Sequence, residues 1–229
     1  VGPVSNLHEA GTEVAMASGE VALRTSDYAV AGVAAEKLLV ELCRQGDATA
    51  FGRLVALHEG MVYNLAARLL GDREEAKDVS QDVFLQVYRH LGRFQGRSSL
   101  KTWIYRIVVN QCRNRRRFWH RRRADRALSL EALPAAEEAR VAAPMDSGRE
   151  SPFETACRTE RARRVREALL GLPFHHRAVL VLREIEGVSC AAIAEALDVP
   201  EGTVKSRLAR AREALRQTLA PLLREGDPR

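Results

Sequence analysis

The sequence predicts an all-α protein, two small helical domains joined by a flexible linker, and three observations carry that expectation. Apolar residues recur at three- and four-residue steps in one segment after another, and no stretch alternates with period two. The net charge of +6 is unevenly spread: residues 36–126 carry +9 and 161–229 carry +4, against −3 for 1–35 and −4 for 127–160. Two basic blocks around an acidic spacer suggest two polyanion-binding domains. The spacer itself, LSLEALPAAEEARVAAPMDSGRESP, is rich in Ala, Glu and Pro and has no sustained apolar stripe, as a tether would. The expected organisation is an N-terminal extension over 1–35, a first domain over 36–120, a linker over 121–158, a second domain over 159–224 and a tail over 225–229.

Composition removes several classes of function. With 46% hydrophobic and 29% charged residues, the 229-residue chain has the balance of a globular protein. No apolar run approaches the roughly 20 residues that span a bilayer, and the amino terminus lacks the basic start and apolar core of a secretory signal. Cys43, Cys112, Cys157 and Cys190 are scattered without a CxxC pair, which fits a reducing cytoplasm and argues against a zinc module or a disulfide framework. Gly-x-Gly loops are absent, which argues against a nucleotide-binding enzyme. The neighbours His175 and His176 should point to different sides of a helix, and Cys190 does not complete a metal spacing, so all three read as structural. No Ser/His/Asp or Cys/His set stands out. No catalytic site, cofactor or metal is expected.

In the first block, Leu54, Leu57, Met61, Leu65 and Leu69 mark the apolar side of a helix that Gly71 stops. Asp72 is placed to cap the next helix, with Glu75 three residues later. That helix, about 73–91, has Ala76, Val79, Val83, Val87 and Leu91 on one face. Its other face shows Asp78, Gln81, Asp82 and Gln86, with Phe84 nearby. Acids at i and i+4 repel one another weakly, so this face reads either as solvated surface or as a docking surface for a basic partner.

A loop, Gly92 to Ser99, leads to a helix beginning near Leu100, with Ser98 or Ser99 as its cap. Leu100, Ile104, Ile107, Val108 and Gln111 mark its inner side, and Arg106, Asn110, Arg113, Asn114 and Arg117 share an outer stripe. Guanidinium and amide groups present the directional donors that base edges and phosphates require. Eight of the fourteen residues from Arg113 to Arg126 are arginine, and five of the twelve aromatics (Phe94, Trp103, Tyr105, Phe118, Trp119) lie in or beside this loop and helix. Basic residues interleaved with aromatics suit single-stranded or melted nucleic acid, and the loop is placed to form a pocket for an extruded base. Core packing of either Trp and a nonspecific polyanion patch are the bland alternatives.

The second block starts with a basic helix, Arg161–Leu170, and a break at Gly171-Leu172-Pro173. A helix to about Ile185 follows, with Ala178, Val179, Leu182 and Ile185 as its apolar side. After Gly187, Ser189 is placed to cap a short helix, Cys190–Leu197, and Asp198-Val199-Pro200 turns the chain into the next. There Val204, Leu208, Ala211 and Leu215 recur on one side, and Thr203, Lys205, Ser206, Arg207 and Arg210 lie opposite. A short helix, a tight turn and a basic second helix describe a DNA-binding helix-turn-helix, with a recognition helix over about Glu201–Gln217.

In this order, the run DREEAKDVSQDVFLQVYRHLGRFQGRSSLKTWIYRIVVNQCRNRRR resembles region 2 of extracytoplasmic-function (ECF) sigma factors of the sigma-70 family. The run LPFHHRAVLVLREIEGVSCAAIAEALDVPEGTVKSRLARAREALR resembles region 4. The resemblance covers roughly 37–120 and 159–222 and lacks the longer middle domain of housekeeping sigma factors. It implies a non-catalytic, cytoplasmic bacterial initiation subunit whose partners are core RNA polymerase and promoter DNA. Asp78, Gln81, Asp82 and Phe84 would dock on the clamp helices of the largest polymerase subunit. Phe94, Gly96, Ser98, Ser99, Lys101, Trp103, Arg106, Asn110, Arg113 and Asn114 would open and read the −10 element as melted strand. Thr203, Lys205, Ser206, Arg207 and Arg210 would read the −35 element as duplex. Family members are commonly held inactive by an anti-sigma factor, a partner that the resemblance leaves open. Rival readings are a helix-turn-helix regulator that never joins polymerase, and an RNA binder using the arginine-rich helix.

Overall fold

The computed structural model describes residues 35–127 and 152–225, so the expected extension and most of the expected linker lie outside the described residues. Every regular element among the described residues is helical, as the sequence predicts. The chain divides into two compact units between Leu57 and His58. In the first, helix α1 (residues 35–44) ends at Gly46, whose φ of +88° favours glycine. Asp47 then caps helix α2 (Ala48–Leu70): its Oδ1 accepts from the Thr49 and Ala50 amides at 2.8 and 3.1 Å. The second unit begins within α2 and holds every candidate site residue.

The buried face of α2 is carried by Leu54, His58, Val62, Leu65, Ala66 and Leu69, whereas the expected Leu57 is 64% exposed and Met61 only half-buried. A row of residues four apart drifts about 40° around a helix per step, and the row through Leu57 leaves the core at its start. Gly71 ends α2 as expected, in a conformation that favours glycine and close to a side chain that would have to move for any larger residue. Its φ is +80°, and an added Cβ would lie 2.6 Å from a methyl of Leu170.

Helix α3 (Arg73–His90) starts at Asp72, whose Oδ1 accepts from the Glu74 and Glu75 amides at 2.9 and 3.1 Å. Its expected face is the observed one: Ala76, Val79, Val83 and Val87 are buried, and Leu91 follows in a 3₁₀ turn, Leu91–Arg93. Helix α4 (Leu100–Ala127) is capped by Ser99, whose Oγ accepts from the Thr102 amide at 3.0 Å, and it packs on α3. Its buried residues are Leu100, Ile104, Tyr105, Val108, Val109 and Cys112. The inner side is therefore broader than expected, and Ile107 and Gln111 sit at its margin, half-buried.

Helices α5 (Pro152–Gly171) and α6 (Phe174–Leu180) follow, and a π-helical turn, Val181–Ile185, continues α6. The Glu186 amide bonds back five residues to the Val181 carbonyl at 3.1 Å. This wider turn advances the register by about one residue, so Ile185, expected on the apolar side, is 45% exposed while Val181 and Leu182 are buried. Ser189 caps α7 (Cys190–Leu197) through the Ala192 amide at 3.2 Å, and Asp198 closes it with φ +54°. Helix α8 extends from Glu201 to Glu225, beyond the expected end at Gln217, with Pro221 inside it. Helices α5, α6 and α7 all pack against α8, burying Val204, Leu208 and Ala211. The expected boundaries at 120/121 and 158/159 fall within α4 and α5.

Candidate nucleic-acid interface

The loop before α4 and the first turns of that helix form an aromatic corner. Phe94 and Trp103 are half-buried with ring centroids 5.2 Å apart, tilted by 41°. Trp103 walls a hollow of about 330 Å³ together with Gln86, His90, Arg93, Ile107 and Asn110. None of the loop residues 94–99, from which a pocket for an extruded base was expected, lines this hollow. Gly96 turns the loop with φ +67° and is exposed, Ser98 is half-buried, and Ser99 is occupied as the cap. Lys101 is exposed, with its Nζ 5.7 Å from the centre of the Tyr105 ring.

The outer stripe of α4 divides. Asn110 and Asn114 are exposed and Arg113 is half-buried. Arg106 turns instead to the helix-turn-helix: its guanidinium donates to the carbonyls of Glu195 (2.8 Å) and Ala196 (3.3 Å) at the end of α7. Next to it the buried Tyr105 hydroxyl donates to Glu186 at 3.1 Å, and Arg68 donates to the same carboxylate at 2.9 Å. Burial, then the Glu186 charge, pushes the Tyr105 phenol far above its ordinary value. The π-helical turn is what brings Glu186 to this position.

A second inter-helix tie is made by Arg177, which is only 3% exposed. It donates to the carbonyls of Leu69 (2.6 Å) and Leu172 (3.1 Å) and to that of Leu170. These are orphan acceptors at the ends of α2 and α5. Burial, then the nearby Arg116, draws its pKa down to about 10, so the guanidinium stays charged at neutral pH.

On α3 the acidic face is on the surface, with Asp78, Gln81 and Asp82 exposed and Phe84 half-buried. Asp78 is engaged by Arg115 of α4, Nη2 to Oδ2 at 3.0 Å, and Arg115 Nε stands 2.7 Å from Glu75. Sequence reasoning missed Arg115, although its position was legible: Ile104, Val108, Gln111 and Arg115 continue one row at steps of four, three and four. Beside this face Leu85 and Tyr88 are 52% and 61% exposed, so the acids are framed by apolar surface.

In the recognition helix Lys205 and Ser206 are exposed, Thr203 is half-buried and Arg210 is exposed. Lys205 pairs with Glu201 at 2.8 Å, which raises its pKa through that hydrogen bond, and the Ser206 hydroxyl donates to the Thr203 carbonyl at 3.0 Å. Arg207 is half-buried and, with Arg106, Asn110 and Arg113, lines one cleft of about 910 Å³. The structure thus gathers residues expected to read two separate promoter elements around a single concavity. His175 and His176, expected on different sides of their helix, have their rings in contact with centroids 4.3 Å apart. Among the described residues no group of three or more His, Cys, Asp or Glu is placed to hold a metal ion, and no helix is long and apolar enough to cross a membrane.

Comparison with known proteins bears on both halves. Residues 54–125 match the family model for sigma-70 region 2, and residues 162–215 match that for sigma-70 region 4. The chain is 38% identical to the RNA polymerase sigma-H factor of Pseudomonas aeruginosa over 190 residues, covering 83% of this chain and 96% of that protein. It is 31% identical to the ECF RNA polymerase sigma factor SigW of Bacillus subtilis, covering 81% and 97%. Among solved structures it is similar to CnrH in complex with the cytosolic domain of CnrY, with a TM-score of 0.56 and 28% identity over 84% of this chain and 99% of that one. The fold is also that of the sigma factor RpoE of Bartonella quintana, solved with the anti-sigma factor NepR. There the TM-score is 0.57, at 22% identity over 74% of this chain and 96% of that one.

Proposed function

Because the chain belongs to the extracytoplasmic-function group of the sigma-70 family, we propose that it joins core RNA polymerase in the cytoplasm and directs initiation at promoters read by α4 and α8. The observation that carries this reading is the presence, on one chain, of an exposed acidic face framed by apolar residues, an aromatic corner at an arginine-rich helix and a basic recognition helix. Each has one task. Asp78, Gln81, Asp82 and Phe84 contact polymerase. Phe94 and Trp103 stack on bases as the strands part, while Gly96, Ser98, Ser99, Lys101, Arg106, Asn110, Arg113 and Asn114 hold the −10 strand. Thr203, Lys205, Ser206, Arg207 and Arg210 read the −35 duplex in the major groove.

Arginines supply salt-dependent phosphate binding that positions without specifying, and base contacts supply specificity. Two weak readers gain by acting together only when polymerase holds them at the promoter spacing. Arg106 cannot both hold the Glu195 and Ala196 carbonyls and hold DNA, so engagement requires its guanidinium to leave the end of α7. CnrH, 28% identical to this chain, was solved in complex with the cytosolic domain of CnrY, and the reading here includes a protein partner of the anti-sigma kind that keeps both DNA-reading helices from the promoter.

Trp103→Ala tests the opening step. The holoenzyme carrying it should still bind a promoter fragment but open it roughly tenfold less, the loss of one base–aromatic stack, read by the fluorescence of a base analogue in the −10 strand. A fully opening variant would remove Trp103 from the melting machinery.

A further inference from the structure

The 910 Å³ cleft between α4 and the helix-turn-helix joins residues assigned to promoter reading with Arg116, Arg117, Phe174 and His175, which promoter reading leaves without a task. Arg113, Arg116 and Arg117 face it from α4, and His175 and Arg207 face it from the other side. Arg116 lies over the Phe174 ring at 5.3 Å, while Arg113, Arg117 and Arg207 have no carboxylate partner among the described residues. One acid, Asp198, lies in the lining. Burial, then Arg207, lowers the pKa of His175, and His176 is lowered by burial, His175, Arg210 and Arg207 in that order. The charged side chains of the lining are therefore four arginines besides Arg106 against the single carboxylate of Asp198, a net positive cleft. Like charges gathered from two sides of a concavity repel one another unless an anion lies between them. Guanidinium forks match phosphate oxygens in pairs, and the volume lies within the roughly 300–1,000 Å³ typical of small-ligand sites. Phe174, Leu197 and Val199 add an apolar wall that a chain of phosphates would not need.

We propose that this cleft binds a small polyphosphate anion of the nucleoside-triphosphate class, which bridges Arg113 and Arg117 to Arg207 and holds α4 against the helix-turn-helix. Recognition here is by arginine side chains, which is consistent with the absence of a Gly-x-Gly phosphate loop. The consequence for transcription rests on the reading of α4 and α8 as promoter readers, since the bridged pair cannot separate onto DNA. The binding itself does not rest on it.

Calorimetric titration of the full chain with ATP and, in parallel, with tripolyphosphate, at about 150 mM salt, tests the proposal without polymerase or promoter. A saturable site with one anion per chain is expected. Arg113→Gln and Arg207→Gln should each weaken it at least tenfold, the effect of losing one charge-assisted contact. Arg121→Gln removes the same charge from the same helix outside the cleft and should stay within about twofold of the parent. Circular dichroism of each variant establishes that it is folded. Equal affinity for the two anions assigns binding to the phosphates alone, and tighter ATP binding adds the apolar wall; both outcomes support the site. No saturable binding, several anions per chain, or an equal loss in Arg121→Gln would overturn it. Failure of the chain to initiate transcription, with this site intact, would overturn the promoter reading instead.

Discussion

The Asp78→Arg/Asp82→Arg variant is expected to lose transcription initiation by roughly a hundredfold while keeping its fold. Both side chains lie on the exposed face of α3, opposite the buried Ala76, Val79, Val83 and Val87, so their replacement leaves the core untouched. Arg115 retains Glu75 as a partner when Asp78 is reversed. At an interface built for a basic surface, two reversals set like charges against each other, which costs several kcal/mol; about 3 kcal/mol corresponds to the hundredfold loss. Multi-round transcription and capture of labelled core polymerase would read it. Unchanged capture by the double variant would place the polymerase contact elsewhere. A variant that captures polymerase normally but fails to initiate would assign these acids to a later step.

Arg177→Ala is expected to cause the largest loss of stability of any single change to a charged residue, about 3 kcal/mol. The guanidinium donates to the carbonyls of Leu69, Leu170 and Leu172, and with it gone the two buried contacts, at Leu69 and Leu172, and the part-buried one at Leu170 lose this donor. Each unsatisfied group costs on the order of 1–3 kcal/mol. The buried Arg177 Nε has no hydrogen-bond partner and offsets part of that gain in the parent, so the net figure is less than three full penalties. Urea denaturation followed by circular dichroism should show the midpoint falling at unchanged slope. Arg177→Lys should recover only part of the loss, because an ammonium lacks the planar fork. A midpoint equal to the parent's would mean that water replaces the guanidinium at all three carbonyls.

The pattern of helices was legible because its signals are local. Asp72, Ser99 and Ser189 cap where their side chains and positions suggested, and Gly71 stops α2 with a φ of +80° that favours glycine. Ile185 and Leu57 were misplaced for geometric reasons: a π-helical turn leaves no mark in hydrophobic periodicity, and a row of leucines four apart drifts off the buried face. The charged residues show the deeper limit. A polar stripe on a helix tells which residues are not in the core of that domain, but not what they face. Arg106 holds carbonyls of α7, Arg115 holds acids of α3 and Arg177 is buried among helix ends, and hydrophobic periodicity names none of these partners. His175 and His176 were separated by the same single-helix argument, and the turn of the two rings toward each other was invisible to it.

Initiation from a library of randomised upstream sequences, by bacterial core polymerase with the purified full chain, decides whether the chain acts through polymerase. The expected result is transcripts only when both are present, starting at a fixed distance from two shared sequence elements, with the chain alone binding duplex from the same library weakly. Tight binding to a duplex by the chain alone, with no transcripts when core polymerase is added, would show instead a helix-turn-helix regulator that acts without joining polymerase.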